Sequence, residues 1–475
     1  MNKFEENRKD KLGKGMIIVL IANIISMIFN FLINFLQPKY LSVDSYASIK
    51  TFVLYLSVIG VFHLGYSDGT YLRYGGKEKE NLDKIELGLN ISTLRVLQFA
   101  IALIVLSVGM LINDNIVVVS ACMLLPYNMV MHYRLFYQAV GDFKQYGKVM
   151  NWSTALIFIG NLILIFILKI DNFIWYLILQ VIVYIALWAF LEYDIRNTLG
   201  VGAKLFSFSF HELLQNIKFG FLIMIGNFSS IFLTTIDRWF VKYLLYSVEF
   251  AQYSFAVSME GFLNVAVSPF TITLYNYFCN ERRTQKIKQM HNVILVFSVT
   301  VVATAFPFKF IVEKWLINYI DAMDVLFILF ASQMFFIIIK SIYVNLYKAR
   351  KQQRKYFIKL ITVLISGAVF NSICYFLMRN KEAMAVGTLL SAVLWFILCQ
   401  TDYSDIRYDY KHFSYLILEI MLFMVCGLFL SSILGFVIYV IGTIILSLSL
   451  VPKDVRFLFE FLIATIKGNK RGLAG

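Results

Sequence analysis

The sequence has little charge, little proline and little cysteine, and each shortage excludes a class of protein. Only 15% of the 475 residues are charged and 60% are hydrophobic, which excludes a soluble domain of this length. The five cysteines are scattered without a CxxC pair or a Cys/His cluster, so the sequence indicates neither a zinc site nor a disulfide framework. The five prolines leave long stretches free of helix breakers.

Apolar runs fill these long stretches and recur along the whole chain, with a mean hydropathy of +0.73. Runs of about 20 apolar residues span a bilayer as α-helices. The first run has no small-residue cleavage site and is predicted to be a retained helix. The sequence therefore predicts an all-α polytopic membrane protein with about 14 transmembrane helices. The predicted spans are 15–36, 47–66, 88–112, 116–139, 148–169, 173–191, 219–244, 250–277, 291–311, 325–347, 358–378, 384–400, 414–431 and 433–450.

Lysine and arginine concentrate in every second connection between the spans. Five lie in the first 14 residues and six lie in 348–359, whereas 113–115 has none and the short connection 379–382 has two. The positive-inside rule then predicts that both termini are cytoplasmic. The net charge of +14 is interpreted as this bias together with attraction to anionic membrane lipids, and no nucleic-acid partner is expected.

A weak internal repeat divides the chain into two halves. Asn23 and Asn227 lie 204 residues apart, and Asp44 and Glu249 lie 205 apart in similar turns. Two halves of six spans each would be parallel repeats, a plan that places a transporter's substrate site between the halves. The predicted segments are a cytoplasmic tail (1–14), the first half (15–200), the second half (201–402), an additional helix pair (403–452) and a cytoplasmic interfacial helix with its tail (453–475).

Amide and ionisable side chains lie inside several predicted spans, where they are costly and commonly face protein or water. Asn23 and Asn30 share one helix face, and Asp237 and Arg238 lie side by side in the seventh span. A continuous seventh helix would place Asn227, Thr234 and Arg238 on one face. The residues predicted to line a substrate cavity are Arg238, Lys340, Asn23, Asn30, Asn227, Thr234, Lys50, Arg95 and Asn264.

Two carboxylates are predicted to couple transport to an ion gradient, because coupling needs a group whose charge changes between states. They are Glu260 and Asp237, chosen by their depth in the spans. Proton, sodium and membrane-potential driving all stay open at this point. The asparagines have the alternative of joining helices by hydrogen bonds. The charged residues have the alternatives of buried ion pairs or of reaching the span ends.

Short motifs at the start of both halves resemble those of a known family. They are YLSVDSY (40–46), HLGYSDG (63–69), RYGG (73–76), TIDR (235–238) and QYSFA (252–256). In order and position they resemble the polysaccharide (O-antigen-type) flippases, in the superfamily that contains multidrug and toxin extrusion (MATE) transporters and lipid II flippases. Ala47 and Ala251 depart from the glycines usual in that family, and no proline follows Gly220.

The resemblance implies a MATE-like transporter fold and a substrate that composition alone does not indicate. That substrate is an undecaprenyl-diphosphate-linked oligosaccharide, moved across the cytoplasmic membrane by alternating access for surface polysaccharide biosynthesis. H⁺ or Na⁺ are possible coupling ions, and a polysaccharide polymerase is a possible partner. No cofactor, metal or covalent step is expected.

One alternative has the same fold, and a second belongs to another class. A MATE-like multidrug exporter would be expected to have twelve spans and a more apolar, aromatic and acidic cavity. A membrane-embedded polymerase or acyltransferase would need converging Arg, His and Glu residues and usually a sizeable outside loop. The five histidines are scattered and the outside connections are short, so the flippase is the leading hypothesis.

Overall fold

The computed structural model describes residues 23–77, 79–200 and 207–466, and every regular element in these ranges is helical. Predictions for the N-terminal tail (1–14), the beginning of the first span (15–22) and the end of the C-terminal tail (467–475) lie outside the described residues. By compactness the chain forms two units, Met1–Ile231 and Phe232–Gly475. The division at residue 201 follows from the repeat, a different criterion, and stays a prediction.

Helices in the first unit are connected mostly by short turns. They are α1 (23–40), α2 (Val43–Ile59), α3 (Tyr66–Tyr74), α4 (Lys84–Leu111), α5 (Asn115–Ala139), α6 (Phe143–Leu162, extended by a π-helical turn Ile163–Ile167), α7 (Phe173–Leu199) and α8 (Phe210–Leu233). Two 3₁₀ turns, Gly60–His63 and Lys79–Asn81, flank α3.

The second unit continues from the end of α8. Its helices are α9 (Ile236–Leu244), α10 (Ser247–Asn280), α11 (Thr284–Val302), α12 (Ala305–Trp315), α13 (Met323–Ile338), α14 (Val344–Ala349), α15 (Gln353–Met378), α16 (Lys381–Asp402), α17 (Tyr410–Phe429), α18 (Ser432–Leu450) and α19 (Pro452–Ile466). A π-helical turn, Ile339–Tyr343, joins α13 to α14, and 3₁₀ turns cover Ile317–Ala322 and Ser404–Ile406.

Twelve helical segments of the described ranges are long and apolar enough to cross a membrane. They coincide with twelve of the fourteen predicted spans, and the first and eighth predicted spans coincide with α1 and α10. The prediction of an all-α, multi-pass membrane protein is therefore confirmed.

The seventh predicted span is not one helix, and the prediction of a single face running from Asn227 to Arg238 is wrong. Helix α8 ends at Leu233 and α9 begins at Ile236. Between them Thr235 has a φ of −128°, and its backbone N–H and its hydroxyl both donate to the carbonyl of Phe232, at 3.1 and 3.4 Å. Threonine favours such local bonds over helix continuation, which explains the break.

Helices α3 and α8 meet backbone to backbone within the first unit. A Cβ on Gly220 would lie 1.9 Å from the carbonyl oxygen of Gly65, and a Cβ on Gly69 would lie 2.0 Å from that of Asn216. Only glycine permits such an approach, and Gly65 also has a φ of +84°. Beside the crossing, Arg73 forms ion pairs with Glu212 of α8 at 2.6 Å and Glu86 of α4 at 2.8 Å.

We expect Gly220→Ala to destabilise the protein by about 1–3 kcal/mol, because the new methyl group meets backbone atoms that have nowhere to move. Gly226→Ala is the matched control on the same helix, since nothing lies within 4 Å of its added Cβ. The control should be neutral or gain up to about 1 kcal/mol of helix propensity. Both variants are compared by the fraction of protein that stays monodisperse in detergent after heating. Equal thermal stability of the two variants would contradict the close crossing.

A buried lysine ties α12 to the end of α17 in the second unit. The ammonium of Lys309 donates to the carbonyl oxygens of Gly427 and Leu430, each at 2.7 Å. These carbonyls belong to the last turn of α17, where the helix has no partners of its own for them, and the positive charge suits the negative end of the helix. The Ser432 hydroxyl, at the start of α18, donates to Glu313 of α12 at 2.5 Å.

Lys309→Met keeps the length of the side chain but leaves the two carbonyls without their donor. We expect a loss of about 1–3 kcal/mol, seen as a lower midpoint of thermal unfolding. Lys314→Met removes the same charge from an exposed position on α12 and should leave the midpoint unchanged. A Lys309→Met protein as stable as Lys314→Met would mean that α17 does not depend on this contact.

The C-terminal helix α19 packs on the second unit through one carboxylate. Asp454 accepts hydrogen bonds from Asn292 of α11 at 3.2 Å and contacts His412 of α17 at 3.0 Å. The helical character expected for the segment after Pro452 is present. Its location at the membrane interface stays a prediction.

Candidate functional site

The second unit contains a buried carboxylate that three donors hold in place. Asp237, with 5% of its surface exposed, accepts hydrogen bonds from the Tyr253 hydroxyl at 2.6 Å, the Thr388 hydroxyl at 3.2 Å and the backbone N–H of Arg238 at 2.7 Å. These donors come from α10, α16 and α9, so one side chain connects three helices. Such connections are strong because hydrocarbon surroundings offer no other partners.

A second carboxylate lies further along α10. Glu260 accepts a hydrogen bond from the amide of Gln333 on α13. Asp237, Arg238 and Lys340 all act electrostatically on its charge. Two carboxylates and two cations therefore form one group, hereafter the charged cluster, built from α9, α10 and the segment after α13.

Lys340 lies at the open side of the charged cluster. Its ammonium donates to Asn264 Oδ1 at 3.3 Å and lies 5.5 Å from the centre of the Phe336 ring. Both the lysine and Arg238 are partly exposed, and Asn264 is exposed. Lys340 belongs to the π-helical turn Ile339–Tyr343, a type of local widening that is often found at functional positions.

Arg238 has hydrogen-bonding capacity to spare. Its Nε is buried and has no hydrogen-bond partner among the described residues. Thr234 is exposed in the break between α8 and α9. The chain thus positions a guanidinium at the first turn of a short helix, next to the carboxylate of Asp237.

The predicted residues of the first unit do not form a single group. Asn23 and Asn30 are exposed on α1. Lys50 donates to Asn34 of the same unit at 2.7 Å and lies 5.1 Å from the Tyr46 ring centre.

Arg95 is 3% exposed and pairs with Glu192 of α7 at 2.5 Å. The same carboxylate accepts from the Tyr133 hydroxyl at 2.6 Å and from Arg196 at 2.9 Å. Arg95 therefore forms a buried ion pair between helices. The sequence left this open as the alternative to lining a substrate cavity.

Asn227 instead faces a cleft of about 340 Å³ within the first unit. Its amide donates to Asp68 Oδ1 at 3.4 Å, and the other oxygen of Asp68 lies 3.8 Å from His63 Nε2. His63 Nδ1 accepts the backbone N–H of Gly65 at 3.0 Å, so a neutral His63 carries its proton on Nε2, towards Asp68. Arg134 also lines the cleft.

Asp68 lies on α3, between the membrane-spanning segments Val43–His63 and Lys84–Leu111. Burial raises the pKa of its carboxyl group to about 6, because the charged form loses its hydration. A carboxyl group of this kind changes protonation close to neutral pH. It sits beside His63 and the amide of Asn227.

Asp68 is not among the site residues predicted from the sequence, although it lies in the HLGYSDG motif (63–69). The signal was the pair His63 and Asp68 on either side of Leu64-Gly65, a turn in which both residues have positive φ. Such a turn brings flanking side chains together. No group of three or more His, Cys, Asp or Glu side chains in the described ranges is arranged to hold a metal ion.

Comparison with solved structures shows the fold. The chain is similar to the lipid II flippase MurJ in an inward closed conformation, with a TM-score of 0.58 and 16% identity over 92% of this chain and 100% of that one. It is also similar to an inward-facing multidrug resistance MATE family transporter of the MOP superfamily, with a TM-score of 0.61 and 12% identity over 82% of this chain and 98% of that one.

An outward-facing structure of a MATE family transporter gives a TM-score of 0.53 at 12% identity, over 83% and 96% of the two chains. No protein-family profile and no curated protein sequence matches the chain. The chain has the MATE/MOP-like transporter fold. At these identities the likeness concerns the fold alone.

The contact between Tyr253 and Asp237 can be measured by a double-mutant cycle. Tyr253→Phe removes one donor from a buried carboxylate, and we expect a loss of about 1–3 kcal/mol in thermal stability. In an Asp237→Asn background the same change should cost less, with an interaction energy of about 0.5–3 kcal/mol. Tyr243→Phe, at an exposed position of α9, is the control. Additive effects of Tyr253→Phe and Asp237→Asn would contradict the contact.

Proposed function

We propose that the protein is a lipid-linked oligosaccharide flippase. Its substrate would be an undecaprenyl-diphosphate-linked saccharide repeat unit, which it moves across the cell membrane by alternating access for surface polysaccharide biosynthesis. The observation that carries the proposal is the pair of partly exposed cations, Arg238 and Lys340, in a protein with a transporter fold.

The charge of the substrate explains why cations belong there. A diphosphate must leave water and pass a low-dielectric region, where each fixed positive charge acts strongly. A guanidinium binds phosphate oxygens through two parallel hydrogen bonds, and the Arg238 side chain is partly exposed. Lys340, next to the exposed amide of Asn264, would add a second cation and a hydrogen-bonding group for sugar hydroxyls.

The fold comparison supports the same proposal. The MurJ structure, a lipid II flippase, aligns with 92% of this chain, whereas the inward-facing MATE structure aligns with 82%. The chain therefore shares more of its length with the fold of a lipid flippase. The MATE likeness is stronger by TM-score, and it keeps a multidrug exporter as the second candidate.

Coupling is assigned within the charged cluster. Glu260 lies in electrostatic range of both cations, and protonation of Glu260 would free Lys340 to bind the substrate. Asp237 would hold Arg238 in position and take part in the same exchange. The hydrogen bond from Asn227 to Asp68 would depend on the protonation state of that carboxyl group in the first-unit cleft. We propose a proton or sodium gradient as the driving force and no covalent step.

The remaining proposals concern location and partners. We propose that both termini are cytoplasmic in a bacterial or archaeal cell, as the positive-inside rule predicts from the basic connections. The interfacial helix α19 would lie on the cytoplasmic surface of the membrane. A polysaccharide polymerase on the outer side would consume the flipped repeat units.

Replacing Arg238 tests the proposal directly. We expect Arg238→Ala to stop export of surface glycan while the lipid-linked repeat unit accumulates on the cytoplasmic side. The measurements are surface glycan by immunoblot and the lipid-linked intermediate by mass spectrometry of membrane extracts. Arg238→Lys keeps the charge but loses paired hydrogen bonding, so it should retain part of the activity.

Arg282→Ala is the matched control, because it removes an exposed arginine from the connection between α10 and α11. Normal glycan export by a well-expressed Arg238→Ala protein would remove this residue from the mechanism. Efflux of a cationic dye that Glu260→Gln abolishes, with unchanged surface glycan, would instead favour the multidrug exporter.

A further inference from the structure

An open cleft of about 420 Å³ lies between the end of α16 and the beginning of α17, far along the chain from the charged cluster. One wall is α16, with Ile397, Gln400 and Thr401, and the other is α17, with Tyr410 and Phe413. The Gln400 side-chain oxygen accepts the backbone N–H of Tyr408 at 3.1 Å, which fixes the turn between the two helices. The cleft is therefore a formed feature of the α16–α17 junction.

The charges around this junction leave an excess of positive charge. Asp402 ends α16, and Asp405 and Asp409 lie in the connection; each of the three is already paired with a base from another helix or turn. These pairs are Asp402 with Lys359 at 3.3 Å, Asp405 with Arg350 at 3.8 Å, and Asp409 with Lys288 at 3.0 Å.

Arg407 lines the cleft, is exposed and forms no ion pair with any described residue. Lys411, in the first turn of α17, is likewise exposed and unpaired among the described residues. With the nearby acids paired, Arg407 is the exposed cation among the residues that line the cleft. The position suits an anion.

The aliphatic and aromatic side chains that line the cleft are exposed. Ile397 has 45% of its surface exposed, Phe413 has 44% and Tyr410 has 86%. In a membrane protein, exposed aliphatic and aromatic side chains of this kind contact acyl chains, and tyrosine at the mouth suits the headgroup level. The ligand that fits has an anionic head and an apolar tail.

We infer that this cleft binds one anionic phospholipid of the membrane, with the phosphate at Arg407 and an acyl chain along Ile397 and Phe413. Basic pockets between transmembrane helices on the cytoplasmic side bind acidic headgroups in this way. The site does not depend on the proposed flippase activity. Its ligand would be a resident lipid that fills the junction between the last helix of the predicted second half and the additional helix pair.

Native mass spectrometry of the full chain tests this inference. The protein is released from micelles that contain phosphatidylglycerol or phosphatidylcholine with the same acyl chains. We expect one phosphatidylglycerol to remain bound under conditions that remove phosphatidylcholine. Arg407→Gln should weaken that binding about tenfold, since it removes a charged hydrogen bond.

Two further variants make the result decisive. Thr401→Phe fills the cleft without changing charge and should also remove the bound lipid. Arg282→Gln removes an exposed arginine that has no ion pair with any described residue, and this variant should keep the lipid. Equal retention of the two lipids, equal loss in Arg407→Gln and Arg282→Gln, or displacement of the lipid by inorganic phosphate would each overturn the inference.

Discussion

Hydrocarbon offers no hydrogen bonds, so every charge that these helices carry into it must find a partner inside the protein. Two outcomes are visible. Some charges are paired within the protein, such as Arg95 with Glu192 and Lys309 with the last carbonyls of α17. Others leave part of their hydrogen-bonding capacity unused, and Arg238 and Lys340 belong to this second group. The first group holds helices together, and the second is where a polar substrate would gain most by binding.

The glycine contact between α3 and α8 has a similar organising role in the first unit. Gly220 and Asn227 are seven residues apart on α8 and therefore share a face. Gly220 lies against the backbone of Gly65, and Asn227 is two turns further along α8. Asn227 therefore reaches Asp68 of α3. The size of one residue thus sets how closely the amide approaches the carboxylate.

The fold could be predicted from the sequence, because the length and apolarity of each span are properties of that stretch of sequence alone. Partners across helices were harder to predict. Arg95, Lys340 and Glu260 are predicted as charges inside spans, but spacing along a chain does not reveal that Glu192 pairs with Arg95 while Lys340 contacts the exposed amide of Asn264 by a hydrogen bond.

The largest error of the sequence-based prediction concerns the seventh span, and its cause is local hydrogen bonding. A helical wheel assumes an unbroken helix, and the hydroxyl and N–H of Thr235 end it by bonding to a nearby carbonyl. Two adjacent threonines were visible in the sequence. Whether such a pair continues or breaks a helix depends on tertiary packing, which a single sequence does not supply.

The π-helical turn Ile339–Tyr343 sets a constraint on chain length rather than on residue type. Gln333 before it and Asn345 after it both bond to α10, to Glu260 and to the carbonyl of Thr271. Twelve residues of regular α-helix would turn these two side chains about 120° apart, whereas the one extra residue of a π turn reduces the angle to about 20°. Deleting one residue of the turn would leave eleven residues of regular α-helix and keep the two side chains about 20° apart, whereas inserting one residue would turn them about 120° apart. In this stretch, a deletion that restores regular α-helix should be tolerated better than an insertion.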